Sequence, residues 1–257
     1  MNHQLSLLLG SKTLKDKYTQ ATNRDVTRCT LITWSTMNLW LGLHLLLAGL
    51  LLSGAAPTPE ECRPLITPLS LADPTVMYGR TNLMLGYTDK EILNNILRKT
   101  QSLWSTISQS PSSPNTHILF QHNRINGTCL LSKVNLTIDG NTGSSSQLNS
   151  TSVVQILPGL EGFLVFSFES TIRDLDKIVR MVNIVGNDTA EEFNVRALYL
   201  MARETTLKDS DREHFRKQAS CLGFSREPDF THNPDNAFCA EGEGLMIFDT
   251  TSMNISK

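Results

Sequence analysis

The sequence predicts an all-β protein, in which eight antiparallel strands close into a barrel and one C-terminal helix packs outside it. Beyond residue 76 the chain offers about eight short β-forming segments at hairpin spacing, and a long helical pattern appears only near the C-terminus. The 257 residues are 40% hydrophobic and 19% charged, which is enough apolar material for an ordinary core. A barrel of eight strands leaves interior room for one small ligand.

Residues 37–56 form the N-terminal signal segment of this prediction. They hold about fourteen nearly uninterrupted apolar residues, fewer than the roughly 20 that a spanning helix needs. Ser53 and Ala55 fit a cleavage site of small residues. We therefore expect an upstream extension (1–36), a signal peptide (37–56) and a single domain (57–257). The alternative is a signal anchor, because Lys and Arg upstream of residue 37 favour a cytoplasmic N-terminus.

The segment before the first strand contains three prolines, Pro64, Pro68 and Pro74. Proline neither donates to a sheet nor continues a helix, so we expect an irregular arm here. The first strand follows at 77–87. Apolar residues at 92, 93, 96 and 97 then have helical spacing and predict a short lid or wall on the barrel; a membrane-contacting helix is the alternative.

Seven further strands complete the count. The clearest, 129–139, places Val134, Leu136 and Ile138 on one face together with Ser132, and the glycine-rich residues 139–143 predict a hairpin turn after it. A face that mixes apolar and hydroxyl side chains suits a cavity wall, although a filled barrel remains the alternative. The predicted strands are 102–108, 115–122, 129–139, 147–157, 163–169, 178–185 and 193–202.

The C-terminal helix is predicted at 211–222. Ser210 and Glu213 have capping-box spacing, Phe215 and Ala219 share one face, and Gly223 ends the helix. The tail beyond is expected to be irregular, held by a cysteine, with a possible closing strand at 245–248.

The cysteines and sequons indicate export. Removing Cys29 with the leader leaves four of the five cysteines, an even number that implies bridges but allows three connectivities. N-x-S/T sequons predict glycosylation of a secreted chain at five asparagines. These are Asn126, Asn135, Asn149, Asn187 and Asn254.

No catalytic, metal or cofactor motif is present in the sequence. It has no G-x-S-x-G, H-E-x-x-H, P-loop or C-x-x-C pattern. His117 and His122 lie on opposite faces of one predicted strand, so they cannot share a metal. The net charge of −2 provides no basic surface for nucleic acid.

Three stretches resemble the lipocalin superfamily: PLITPLSLADPTVMYGR, SPSSPNT and RALYLMARETTLKDSDREHFRKQASCLGF. The resemblance covers roughly residues 60–248. It is to the α-1-acid glycoprotein (orosomucoid) and apolipoprotein M group, and most of all to the pufferfish proteins that bind saxitoxin and tetrodotoxin. One position departs from the family: Thr81 stands where Gly-x-Trp places a tryptophan after Gly79. We therefore expect Leu83 or Leu85 to pack the barrel floor.

The resemblance implies bridges between Cys62 and Cys221 and between Cys129 and Cys239. It also implies a monomeric carrier in plasma, without a membrane span once mature, for steroids, drugs or lipids, or for guanidinium toxins. Strand parity predicts the residues that line the cavity. They are Phe120, Val134, Leu136, Val154, Ile156, Tyr199 and Met201.

Two alternatives stay open at this point. The first is a secreted enzyme on the same barrel, which needs a free thiol or another nucleophile in the cavity. The second is an acute-phase glycoprotein that acts through its surface.

Overall fold

Eight antiparallel strands form one closed barrel in the computed structural model, which describes residues 56–147, 150–173 and 192–249. Each strand pairs with the next along the chain and the last pairs with the first, which confirms the predicted architecture. Nowhere in these three segments is a helix long and apolar enough to cross a membrane. The strands are β1 (Gly79–Thr88), β2 (Thr100–Gln109), β3 (Thr116–Ile125), β4 (Thr128–Asp139), β5 (Thr142–Gln147), β6 (Ser150–Leu157), β7 (Phe163–Arg173) and β8 (Glu192–Ala202).

The strand that the sequence pattern misses is β5. The glycine-rich turn after β4 leads into β5, and β6 is the partner of β5 rather than of β4. The inward positions of β5 carry Gly143 and Ser145, so no apolar alternation marks it. At Gly143 a Cβ atom would lie 2.8 Å from the Val154 side chain, so the narrow barrel interior requires glycine there. The strand predicted at 178–185 lies outside the described residues, as do residues 1–55.

The arm before β1 is more regular than its prolines predict. It begins with a helix, α1 (Pro59–Ile66), whose start is fixed by a reciprocal capping box between Thr58 and Glu61. A proline is compatible with the first helical position, because its missing N–H would have no intrahelical partner there. The expectation of an irregular arm is wrong for this part of it.

The helix α3 (Asp209–Cys221) packs outside the barrel, as predicted. Its buried Phe215 lies beside Tyr87 of β1, with ring centroids 5.8 Å apart, and Phe224 just after the helix lies 5.5 Å from the same ring. Burial raises the pKa of Tyr87 to about 12, so this phenol stays neutral in the outer core.

The cap of α3 differs from the predicted one. The helix begins one residue before Ser210, and the Asp211 carboxylate accepts a hydrogen bond of 3.1 Å from the Lys208 backbone N–H. The Ser210 hydroxyl donates to Asp211 instead of accepting from Glu213, so the predicted Ser210–Glu213 capping box is wrong.

Two disulfides fasten the arm to the outer helix and the tail to the barrel. Cys62 in α1 is joined to Cys221 in α3, and Cys129 in β4 is joined to Cys239 in the tail. This is the pairing that the family resemblance implies.

The tail also completes the barrel wall at two places. β9 (Phe230–Thr231) pairs with β1 at Leu85 and Gly86, beyond the part of β1 that pairs with β2. β10 (Leu245–Asp249) pairs in parallel with the beginning of β4, whereas β5 pairs only with the end of β4. The predicted closing strand near residue 245 is confirmed.

Candidate functional site

One end of the barrel is sealed by the arm. The backbone N–H of Leu69 donates to the carbonyl of Ile156 at 2.8 Å, and that of Leu71 donates to Gly140 at 3.1 Å. These bonds place Leu71 and Met77, both almost fully buried, among the residues that close this end. The arm therefore supplies much of the floor.

Thr81 is buried in this floor, and its hydroxyl lies 3.4 Å from that of Ser105. Leu83 packs in the same apolar cluster as Met77, as expected. Leu85 does not, because the β1–β8 register shifts between residues 83 and 85 and turns Leu85 toward α3. Leu85 is therefore not a floor residue.

The opposite end is covered by a short helix, α2 (Glu91–Lys99), between β1 and β2. Leu93, Ile96 and Leu97 line the cavity from this helix. The apolar side of α2 thus faces the barrel interior, as the lid interpretation predicts.

A buried polar network ties this lid to β1 and to the tail. The Asp229 carboxylate accepts a 3.0 Å hydrogen bond from the Thr88 backbone N–H, and its side chain is only 1% exposed. It pairs with Arg226 at 2.5 Å and with Arg98 of the lid at 3.5 Å. Arg226 also donates to the Thr88 carbonyl and, at 3.2 Å, to Asn94 of the lid. Hydrogen bonds and ion pairs compensate the buried charge of Asp229.

Between floor and lid lies a cavity of about 340 Å³, near the lower end of the usual range for small-molecule sites. Among the described residues that line it there is no Asp, Glu, Lys, Arg or His. The polar lining is neutral: Thr88, Thr100, Ser105, Gln121, Asn123, Ser145, Ser152, Ser170 and Tyr199. The apolar lining is Leu93, Ile96, Leu97, Leu103, Ile107, Leu119, Ile125, Val134, Leu136, Val154, Phe166, Phe168, Ile172, Val195, Ala197 and Met201.

Most of the predicted lining residues reach this cavity. Five of the seven do so: Val134, Leu136, Val154, Tyr199 and Met201. Ile156 also points inward, but it is 1% exposed and packs in the core cluster with Met77 and Leu83, below the open space.

Phe120 is on the wrong face. The residues of β3 that line the cavity are Leu119, Gln121, Asn123 and Ile125, so residues 118, 120 and 122 face outward. There Phe120 meets the edge of His122, which stacks on Trp104 with ring centroids 3.7 Å apart. The tail covers this outer cluster, since the Trp104 indole donates to the carbonyl of Cys239 at 2.9 Å. An apolar outer face misled the parity argument.

Phe166, Phe168 and Ser170 of β7 also line the cavity, and the sequence reasoning did not name them. Part of their signal was present, because the polar residues Ser167, Glu169 and Thr171 alternate with positions 166, 168, 170 and 172, of which only Ser170 is not apolar. Phe168 lies 6.0 Å from Phe166 and 5.3 Å from Tyr199, measured between ring centroids, so the three rings form a continuous aromatic surface.

Tyr199 brings a polar group to this aromatic surface. Burial raises the pKa of its hydroxyl to about 12, and the nearby negative charge of Asp229 acts in the same direction. The hydroxyl therefore stays protonated and can donate a hydrogen bond into the cavity.

Neither metal nor thiol chemistry finds support in the part of the chain that the structure describes. No three His, Cys, Asp or Glu side chains converge there in a way that could hold a metal ion. All four cysteines in that part are in disulfides.

Two of the five predicted glycosylation sites fall within the described residues. Asn126 is exposed in the β3–β4 turn, where its φ of 49° and the following glycine form a tight hairpin. Asn135 is half-buried on the outward face of β4. Asn149, Asn187 and Asn254 lie outside the described residues.

No protein-family model and no curated protein matches this sequence. Among solved structures, the siderocalin Ex-FABP aligns over 61% of this chain and 94% of its own, with 9% identity and a TM-score of 0.46. The bovine lipocalin allergen Bos d 2 aligns over 59% and 88%, with 13% identity and a TM-score of 0.41. The odorant-binding protein OBP1 aligns over 61% and 88%, with 8% identity and a TM-score of 0.42. Identities this low leave the ligand to be inferred from the cavity itself.

Proposed function

We propose that this chain is a secreted, noncovalent carrier that holds one small hydrophobic or amphipathic molecule inside the barrel. The main support for this proposal is the cavity of about 340 Å³. It is sealed at the floor, covered by α2, and lined by apolar residues and a few neutral polar groups. Sites of this composition bind ligands through apolar burial and use the polar groups for orientation.

The described lining residues carry no charge, which favours an uncharged ligand. Transfer of an ion into such a space without a partner is strongly unfavourable. A guanidinium toxin, which the family resemblance implies as a ligand, would find π faces at Phe166, Phe168 and Tyr199. It would find no carboxylate among the described lining residues, because the nearby Asp229 is already paired with two arginines. We therefore expect neutral amphiphiles to bind more tightly than tetrodotoxin.

A fluorescent titration tests the carrier function. The neutral probe N-phenyl-1-naphthylamine should bind the purified secreted protein at one site with enhanced emission. Val154→Phe should abolish or strongly weaken this binding, because Val154 is 5% exposed and lines the cavity.

The matched control is Val153→Phe on the same strand. Val153 is 43% exposed and faces outward, so this change should leave probe binding intact. Equal loss of binding in both variants, or no probe binding by a correctly folded wild type, would contradict the proposal. Native mass spectrometry of the secreted protein then identifies the cargo.

Secretion and glycosylation belong to the same proposal. Two disulfides suit an oxidising compartment, and Asn126 sits at an exposed turn that oligosaccharyltransferase can reach. Cells that express the full chain should release a protein that begins after residue 56 and loses mass on treatment with a peptide N-glycosidase. Static light scattering should give the mass of a glycosylated monomer. Retention of residues 1–36 on the released protein would contradict the predicted cleavage.

A further inference from the structure

Three serines form a row across one wall of the cavity. Ser145 of β5 is paired in register with Ser152 of β6, and Ser152 is paired with Ser170 of β7. All three line the cavity and are partly exposed within it. We refer to them as the serine row.

The serine row has hydroxyl donors that no described residue accepts from. The Ser170 hydroxyl donates to the Ser152 oxygen at 2.8 Å, which leaves the proton of Ser152 without an acceptor among the described residues. The Ser145 hydroxyl has no hydrogen-bond partner in that part of the chain. Polar groups inside an apolar enclosure are normally hydrogen-bonded, so this wall is built to receive an oxygen acceptor.

The row lies toward the mouth of the barrel, the end that α2 covers. Ser145 is near the end of β5, Ser152 near the start of β6 and Ser170 near the end of β7, and these strand ends lie away from the sealed floor. The aromatic and apolar residues Phe166 and Met201 lie deeper, toward the floor. A bound amphiphile is therefore oriented with its apolar body inward and its polar head group near the mouth.

The facing wall offers a complementary group. Asn123 of β3 lies four strands away from β7 in the eight-stranded barrel, and its side-chain amide has no protein partner among the described residues. Gln121, on the same strand, is already engaged by the Ser132 hydroxyl at 3.2 Å. Asn123 can both donate and accept, which suits a hydroxyl or carbonyl head group.

The structure assigns the serine row as the head-group subsite for a neutral amphiphile that carries a hydroxyl or carbonyl oxygen. This inference rests on the proposed carrier function and narrows its ligand class. A carboxylate or ammonium head group is disfavoured, because no charged side chain is among the described residues that line the cavity and could offset its loss of hydration.

Competition among three ligands with the same chain tests the assignment. Protein secreted by cells that express the full chain is loaded with N-phenyl-1-naphthylamine, which 1-decanol, decanoate or decyltrimethylammonium then displaces at pH 7.5. We expect 1-decanol to bind at least tenfold more tightly than either charged ligand. Ser145→Ala should weaken 1-decanol about 5- to 10-fold, the loss of one hydrogen bond, and this loss should exceed any change in the affinity for the probe, which has no oxygen acceptor.

Ser146→Ala is the matched control, since Ser146 is the next residue of β5 and is exposed on the opposite face. It should change neither affinity. The double variant Ser152→Ala/Ser170→Ala should weaken 1-decanol at least as much as Ser145→Ala does. If it does not fold, Ser145→Ala decides alone, because its side chain has no protein hydrogen bond to lose.

Each outcome separates the two proposals. Failure of the probe to bind the wild type overturns the carrier function itself. Normal probe binding with an unchanged 1-decanol affinity in Ser145→Ala overturns the serine row and leaves the carrier function standing. Tighter binding of decanoate or decyltrimethylammonium than of 1-decanol overturns the neutral ligand class.

Discussion

Mild acid should destabilise the folded barrel, because buried histidines remain neutral in it. Burial lowers the pKa of His117, His122 and His232. Around His122, the negative charge of Glu241 raises the pKa and the positive charge of Arg80 lowers it, and both effects are smaller than that of burial. Neither ring nitrogen of His122 or His232 has a hydrogen-bond partner among the described residues.

The sign and the size of the effect follow from proton linkage. An unfolded histidine takes up its proton as the pH falls through about 6.5, whereas the folded one does so only at its lower pKa. In that interval the unfolded state binds more protons, so the free energy of unfolding decreases as the pH falls. Each histidine contributes at most about 1.4 kcal/mol per pH unit, and the three together at most about 4.

Titration of carboxylates does not contribute to the pH dependence between pH 7.5 and 5.5. The pKa values of Glu61 and Glu91 are lowered, first by hydrogen bonds, so these groups release their stabilisation only as the pH falls below about 4. A pH range from 7.5 to 5.5 therefore isolates the histidines.

Urea unfolding of the wild type and of His122→Phe at several pH values measures the effect. Phenylalanine keeps a flat ring against Trp104, and it removes one titrating group, so the pH dependence should fall by up to about 1.4 kcal/mol per pH unit. Val165→Ala, in the apolar cluster beneath α3, is the control: it should lower stability equally at both ends of the range and leave the slope unchanged. A slope in His122→Phe equal to that of the wild type would refute the reasoning for this residue.

Three further predictions concern the parts that close the barrel. Leu83→Ala, at a floor position with 0% exposure, should reduce the free energy of unfolding by about 3–5 kcal/mol in urea titrations. A reduction below about 1 kcal/mol would mean that neighbouring floor residues move in to fill the space that the leucine leaves. Asp229→Ala should lower the free energy of unfolding by about 2–3 kcal/mol, less than the loss of a fully buried ion pair would, because Arg226 is 39% exposed. Stopped-flow dilution should also show faster release of the fluorescent probe. An unchanged release rate would mean that this network does not hold the lid. Cys129→Ala/Cys239→Ala should cost about 2–4 kcal/mol, seen by calorimetry as a lower Tm, and an unchanged Tm would show that β10 holds the tail without the bridge.

The sequence predicts the strands well where one face is apolar and the other is polar. In β4 and β8 such alternation identifies both the strand and its inner face, and Val134, Leu136, Tyr199 and Met201 accordingly line the cavity. The pattern fails at β5, whose inner positions are Gly143, where a side chain would crowd Val154 and Leu136, and Ser145, which lines the cavity.

It fails at β3 for a different reason. One face of β3 lines the cavity and the other packs beneath the tail. The hydrophobic pattern of this strand therefore does not show which face points into the barrel. Phe120 and His122 pack with Trp104 on the outer face, and the Trp104 indole donates to Cys239, more than 100 positions further along the chain. Only the fold brings those residues together, and a periodicity argument confined to one strand cannot detect such long-range cover.

At Thr81 the apolar packing that a tryptophan would provide is supplied by residues elsewhere in the chain. A threonine covers less apolar area than a tryptophan, and here it makes a polar contact with Ser105 at the floor. The apolar volume comes instead from Leu71 and Met77 in the arm, which backbone hydrogen bonds hold against β6 and the β4–β5 turn.

The tail solves the corresponding problem near the mouth. Near the mouth, β1 no longer pairs with β2 and β4 does not pair with β5, so backbone N–H and C=O groups of β1 and β4 lack a barrel strand as partner. Unpaired backbone groups in an enclosed wall are energetically costly. β9 pairs with β1 and β10 pairs with β4, and the Cys129–Cys239 bridge fastens the segment between them. Because Asp229 and Arg226 of the same tail also hold the lid, opening of the lid and loosening of the tail are coupled. A ligand that contacts α2 therefore stabilises the tail as well, and reduction of this bridge should speed the release of bound probe.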